Sequence, residues 1–320
     1  MQERSDIMLS FFTDPYPDEL LYSTFARYHF YSGNVDFKDT LMELFGKNTV
    51  IPTFEIGNYL QFFCNELGET YTPESLIQQH TIFSFYAPFL PQGRQAEIRK
   101  AITWENGQGV YTKLGIIAGS ICVKEAIYYC PMCASTEIEK LGEPYIHREH
   151  QLQGVLVCPQ HGCDLKAYGI TMNDCSRVEY IRLEEERLDL SITYRYKEQF
   201  NGVLWSVAKA AYYLLTHTFF EIGKMDVLAR YKSLLYEKDL LTSGMRVRQE
   251  ELHDLVVGHY GNPLLEFLES SIDRHDEYNW LRVVTRDVER AVHPLRHILF
   301  TLWLVGDMDK FFRGMSDRYN

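Results

Sequence analysis

Apolar residues recur every three or four positions through most of this chain, and proline, glycine and asparagine punctuate the runs. After Asp14-Pro15-Tyr16-Pro17-Asp18-Glu19, the residues Leu20, Leu21, Thr24, Phe25, Tyr28 and His29 fall on one face. They predict an amphipathic helix reaching about Tyr31, with the acidic pair suited to its positive N-terminus. Ser32-Gly33-Asn34 stops it. Asp36 to Phe45 then predicts a second helix, with Phe37, Leu41, Leu44 and Phe45 on one side and Gly46 at its end. Two short helices about a glycine-containing turn are compatible with helix-turn-helix geometry and, more simply, with two helices that only pack. Residues 50–125 read as mostly helical and aromatic. Thr72-Pro73-Glu74 opens a helix, and Ile82 to Phe89 is an apolar turn halted by proline whose rings belong to the core. Between Gly107 and Gly119 the spacing fits either a helix or a close-packed loop.

The period changes in the centre. Ile127-Tyr128-Tyr129 and Val155-Leu156-Val157 are short β-branched and aromatic runs that predict strands feeding two turns. From 181 onward the helical period returns. Phe200 to Phe220 carries Leu204, Ala208, Ala211, Leu214 and Leu215, and Glu250 to Val257 forms a shorter helix. A turn is expected from Gly258 to Asn262, before Pro263. Trp280 to Leu304 predicts one long amphipathic helix. The fold expected is mainly α, in three parts. They are a helical N-terminal domain (1–125), a zinc-ribbon-like finger with short β-hairpins (126–180) and a helical C-terminal domain (181–320).

Composition narrows the chemistry. With 320 residues, 46% of them hydrophobic and 14% aromatic, the chain has ample volume for folded cores. No run is long and apolar enough to span a membrane, and the opening segment lacks the pattern of a signal peptide. These features point to the cytoplasm. The formal charge of −12 argues against coating nucleic acid unselectively. Residues 1–80 hold 4 basic and 12 acidic side chains, whereas 81–250 hold 20 of each. A DNA contact therefore needs a local patch, with the acidic first segment facing elsewhere, toward a protein.

Seven cysteines is an odd number, and a metal site explains them better than a disulfide framework. Cys130-Pro131-Met132-Cys133 is followed after 24 residues by Cys158-Pro159-Gln160-His161-Gly162. Two knuckles of this spacing place four donors, Cys130, Cys133, Cys158 and His161, at the corners of a tetrahedron, which suits one structural Zn2+. Cys163, Cys175, His147 and His150 are alternative donors. Cys163 follows His161 too closely for an independent corner and reads as a small buried residue. Four protein ligands leave no position for water, so the ion would fold the chain without doing chemistry.

Arg282, Arg286 and Arg290 recur every four residues on the predicted long helix, with Arg296 offset. They read either as a solvated face balanced by Asp287 and Glu289 or as phosphate contacts to DNA. No phosphate-binding glycine loop, dinucleotide fingerprint, nucleophile elbow, zincin helix or two-metal carboxylate cluster is visible, which favours a binding protein over an enzyme.

Pro15-Tyr16-Pro17-Asp18-Glu19-Leu20-Leu21-Tyr22-Ser23, with Arg27 a turn later, resembles the opening of the TniQ/TnsD family. The two knuckles, with Gly142-Glu143 between them and Leu165 after them, resemble its zinc finger. Trp280-Leu281 and His293-Pro294-Leu295-Arg296-His297 resemble, less closely, the TnsD-type C-terminal region. The resemblance covers roughly residues 10–180 and, more weakly, 250–305. It implies a target-selection protein of TnsABC-type DNA transposons, found with the bacterial nucleoid. Such a protein binds double-stranded DNA at an attachment site and recruits a TnsC-type AAA+ ATPase, which brings the transposase. It also places the zinc ligands on Cys130, Cys133, Cys158 and His161. Short family members instead dock on an RNA-guided CRISPR effector, a second expectation. The chain departs from the family in having Ile146 and His150 where tryptophans are common, and in being shorter than usual TnsD-type members.

Overall fold

In the computed structural model of the chain, the described residues are 9, 11–68, 70–107, 109–115, 121–219 and 221–316. The opening segment, part of the Gly107–Gly119 stretch and Phe220 lie outside them. The first helix spans Leu21–Ser32 and ends at Gly33, whose φ of 76° is the left-handed conformation that stops a helix cheaply only without a Cβ. The second spans Phe37–Phe45 and is capped by Asp36, whose side chain accepts from the Lys38 N–H. Residues 21–28 of the first helix are all buried, while the second shows Lys38, Asp39 and Met42 to solvent. Thr72 and Ser75 form a reciprocal capping box at the start of the Pro73–His80 helix. Phe83, Phe85 and Tyr86 are buried as expected, in a short helix followed by a 3-10 turn at Ala87–Phe89.

The finger follows. Tyr128–Tyr129 pairs antiparallel with Lys166–Ala167, in the register Tyr128 to Ala167 and Tyr129 to Lys166. Val157 bridges Asp164 across the second knuckle. The first knuckle opens the Pro131–Leu141 helix. Strands are short because each knuckle bends the chain at once, and the helix replaces a ladder in holding the first pair of donors.

In the C-terminal half the Val203–Thr216 helix packs against both Phe83–Tyr86 and Pro294–Val305, so apolar burial joins the two helical parts of the chain. Lys224–Glu237 and Gln249–Tyr260 follow, the latter running past the turn expected from Gly258. The long helix expected over Trp280 to Leu304 is two helices, Trp280–Val284 and Pro294–Val305, with an irregular segment between them. The cause is Pro294. It has no N–H to offer, its ring excludes a helical residue before it, and His293 is accordingly extended and caps the second helix from its ring. No helix among the described residues is long and apolar enough to cross a membrane.

Candidate metal centre

The first knuckle owes its shape to a helix start. Cys130 is the N-cap of Pro131–Leu141, proline fills the first turn, and the Cys130 sulfur accepts from the Cys133 N–H at 3.5 Å. Negative charge on sulfur is favoured there by the unpaired amides. The second knuckle is a tight turn. Gly162 donates its N–H to the Cys158 carbonyl at 2.8 Å, and Cys158 donates to the Cys163 carbonyl at 2.9 Å. Gly162 has φ of 67°, and a Cβ there would meet the Trp205 ring at 3.3 Å. The Trp205 indole N–H also donates to the Pro159 carbonyl at 2.9 Å, so the C-terminal half braces this turn.

The four predicted donors converge. His161 Nδ1 lies 3.5 Å from Cys130 Sγ, 3.4 Å from Cys133 Sγ and 3.4 Å from Cys158 Sγ. Cys133 Sγ and Cys158 Sγ are 3.8 Å apart. Zinc bond lengths set tetrahedral edges of about 3.8 Å between sulfurs and about 3.5 Å between sulfur and nitrogen. The group Cys130, Cys133, Cys158 and His161 can hold a metal ion. Cys163 is fully buried, with its sulfur 3.4 Å from that of Cys130, beside the ligand set. Hydrogen bonding from Cys133, Cys158 and Cys163 holds the Cys130 thiol far below its ordinary range even before a cation adds its field.

His147 and His150 do not reach the knuckles' centre. His147 groups with Glu137 and the Cys133 sulfur on one side and with Glu149 and His150 on the other, its Nε2 2.5 Å from Glu137 and its Nδ1 3.0 Å from Glu149. Cys175 is also outside the cluster of four.

The arginines are scattered by the break before Pro294. Arg282 lies on the first short helix, Arg286 and Arg290 in the connecting segment, and Arg296 on the second helix, so no single helix face carries them. Arg282 is 13% exposed and pairs with Glu250 at 2.7 Å and Glu277 at 3.2 Å. Arg286 reaches Glu277 at 3.5 Å, and Arg290 donates to the Tyr278 carbonyl at 3.3 Å. Arg296 donates to the Glu269 carbonyl at 2.9 Å. Asp287 and Glu289 are exposed.

One ionic network went unread in the sequence. Arg27 pairs with Glu19 and with Glu143, each at 2.8 Å, and all three are buried. Arg148 pairs with Asp18 at 2.7 Å, and Leu20 donates its N–H to the Ile146 carbonyl at 2.8 Å. The proline-rich opening therefore straps the N-terminal helix to the segment between the knuckles. Glu19 and Arg27 are eight residues apart, close to a helical repeat, which was the available signal. Nothing local marks Glu143 as their partner.

Two family models match the chain in succession: TniQ over residues 10–165, and Tn7-like transposition protein D over residues 207–320. The first contains both knuckles, and the second reaches further back than the weak C-terminal resemblance had suggested. Transposon Tn7 transposition protein TnsD of Escherichia coli is 26% identical over 292 residues, which is 89% of this chain and 56% of that protein. The chain thus spans little more than half the length of this curated relative. The knuckles and the strap lie within the TniQ match and the His293-Pro294-Leu295-Arg296-His297 segment within the other, and the chain belongs to the TniQ/TnsD family.

Proposed function

We propose that the chain is a non-catalytic target-selection adaptor of a Tn7-like transposon, which binds a DNA attachment site and recruits a TnsC-type AAA+ regulator in the bacterial cytoplasm. The observation that carries this reading is the succession of the TniQ and TnsD matches around a donor cluster of tetrahedral spacing. In this reading Cys130, Cys133, Cys158 and His161 bind one structural Zn2+. Three sulfurs and one imidazole favour zinc, and a closed set of four leaves no site for a reacting water. The match over 207–320 supports direct DNA reading over docking on a CRISPR effector.

For the DNA half, Arg282, Arg286, Arg290 and Arg296 are proposed to divide their roles. Arg286 and Arg290, the more exposed pair, contact phosphate, whereas Arg282 and Arg296 hold the segment in place through Glu250, Glu277 and the Glu269 carbonyl. The acidic first segment faces the regulator. Binding of the purified chain to a candidate attachment site and to scrambled duplex, over a range of salt, tests the proposal. Site-dependent affinity that falls steeply with salt is expected. Equal affinity for both duplexes rejects site selection, and no binding of purified regulator rejects recruitment.

A further inference from the structure

Behind the knuckles lies a second set of donors that the first ion does not use. The Glu149–Gln151 3-10 turn and the residues just before it carry His147, Glu149 and His150, and the Pro131–Leu141 helix contributes Glu137. His150 is fully buried, and Glu149 and Glu137 nearly so. Hydrogen bonding accounts for part of the group. His147 spans Glu137 and Glu149, and its ring stacks on Tyr145 with centroids 4.4 Å apart.

It does not account for His150. Neither ring nitrogen of His150 has a hydrogen-bond partner, nor does Glu149 Oε2. His150 Nε2 lies 3.9 Å from Glu149 Oε1, too far for a hydrogen bond and suited to two donors that share an ion. Lys124 donates to the backbone carbonyl of His150, not to its ring. Buried polar atoms are almost always satisfied, so a buried imidazole with both ring nitrogens unpaired beside a buried carboxylate points to a ligand for them.

We propose that His147 Nδ1, a Glu149 carboxylate oxygen and His150 Nε2 bind a second divalent cation, with Glu137 orienting His147 from its other nitrogen. These three donor atoms lie within 4.8 Å of one another. The Glu137 carboxylate 2.5 Å from His147 Nε2 matches the carboxylate–histidine–metal arrangement that fixes the tautomer and orientation of a ligating ring. Two imidazoles and one carboxylate suit zinc, and unlike the knuckles they contain no thiolate.

The absence of sulfur supplies the test. The full-length chain, stripped and titrated with Co2+, is expected to take up two ions, one with the intense thiolate-to-metal band and one without it. His150→Gln is expected to bind one ion and keep that band. Uptake of a single ion by the unaltered chain, or of two ions by His150→Gln, overturns the assignment. Should His150→Gln not fold, anomalous scattering at the zinc edge from crystals of the unaltered chain decides. A second peak among His147, Glu149 and His150 is expected, and a lone peak at the knuckles refutes it. These outcomes are independent of whether the chain selects a DNA target.

Discussion

Arg27 is 5% exposed between Glu19 and Glu143, two carboxylates as buried as itself. Burial alone pushes the Glu19 carboxyl upward, and the guanidinium opposes that shift. Removing the cation strands Glu19 and leaves Glu143 the Arg182 guanidinium at 3.6 Å as its cation, in a medium that solvates both acids poorly. Arg27→Met is therefore expected to cost about 3–5 kcal/mol in urea unfolding, far more than a surface pair. His297 makes a different residue-scale prediction. Burial, with His293 and Lys224 nearby, depresses its pKa to about 3, and its Nδ1 lies 3.1 Å from the Tyr231 hydroxyl. The unfolded imidazole titrates at about 6.5. Between those values the unfolded chain binds the extra proton, so this contribution to stability is whole above the unfolded pKa and lost as pH falls toward the folded one. His297→Gln is expected to reduce the slope of stability against pH by about 1.4 kcal/mol per pH unit in that window, read from denaturant midpoints. A slope unchanged from that of the native chain would show that His297 is not held neutral.

At the scale of elements, what the sequence disclosed depended on whether the signal was local. Cysteine knuckles are local: two residues separate the donors in each, and a helix start or glycine turn aims them, so all four members of the converging donor cluster could be read from spacing. The N-terminal helices were legible for the same reason, since Gly33 and Gly46 stop them and Asp36 caps the second. The Trp280 to Leu304 stretch misled because apolar periodicity runs through both of its helices while Pro294 forbids the join. The ion-pair strap was opaque because Arg27 and Glu143 are 116 residues apart in sequence and only the tertiary fold brings them together. Element-scale reasoning also predicts how the finger fails. Cys158 supplies one corner and, through its backbone, the turn that carries His161. Cys158→Ser is expected to abolish metal binding at the knuckles and lower Tm sharply, read by metal analysis and thermal melting. Because the strap ties Leu20 to Ile146, the N-terminal helix should lose protection from hydrogen exchange together with the finger. Retention of metal and Tm would mean the ligands have been misassigned.

For the whole molecule the proposed function raises the question of how a chain of net charge −12 would approach DNA. Long-range attraction is not available from the total, and residues 1–80, with 4 basic against 12 acidic groups, repel a duplex. On the proposed function, orientation would do what net charge cannot: the acidic end would point away, and a small set of cations would meet phosphate. Arg282 is a poor candidate because Glu250 and Glu277 already neutralise it, and withdrawing it would leave both acids exposed to the incoming phosphates. Arg286 reaches only Glu277 among the described acidic residues, through its carboxylate at 3.5 Å and its carbonyl at 3.4 Å, and the exposed Arg290 holds a backbone carbonyl at 3.3 Å, so both can turn outward at little cost. If these two form the phosphate contacts, Arg286→Ala with Arg290→Ala should reduce the slope of log K against log salt by about 2 and leave sequence preference unchanged. Arg282→Ala should instead loosen the segment before Pro294 and lower stability without changing the slope, which calorimetric melting separates from binding. An undiminished slope in the double variant would remove Arg286 and Arg290 from the proposed DNA surface.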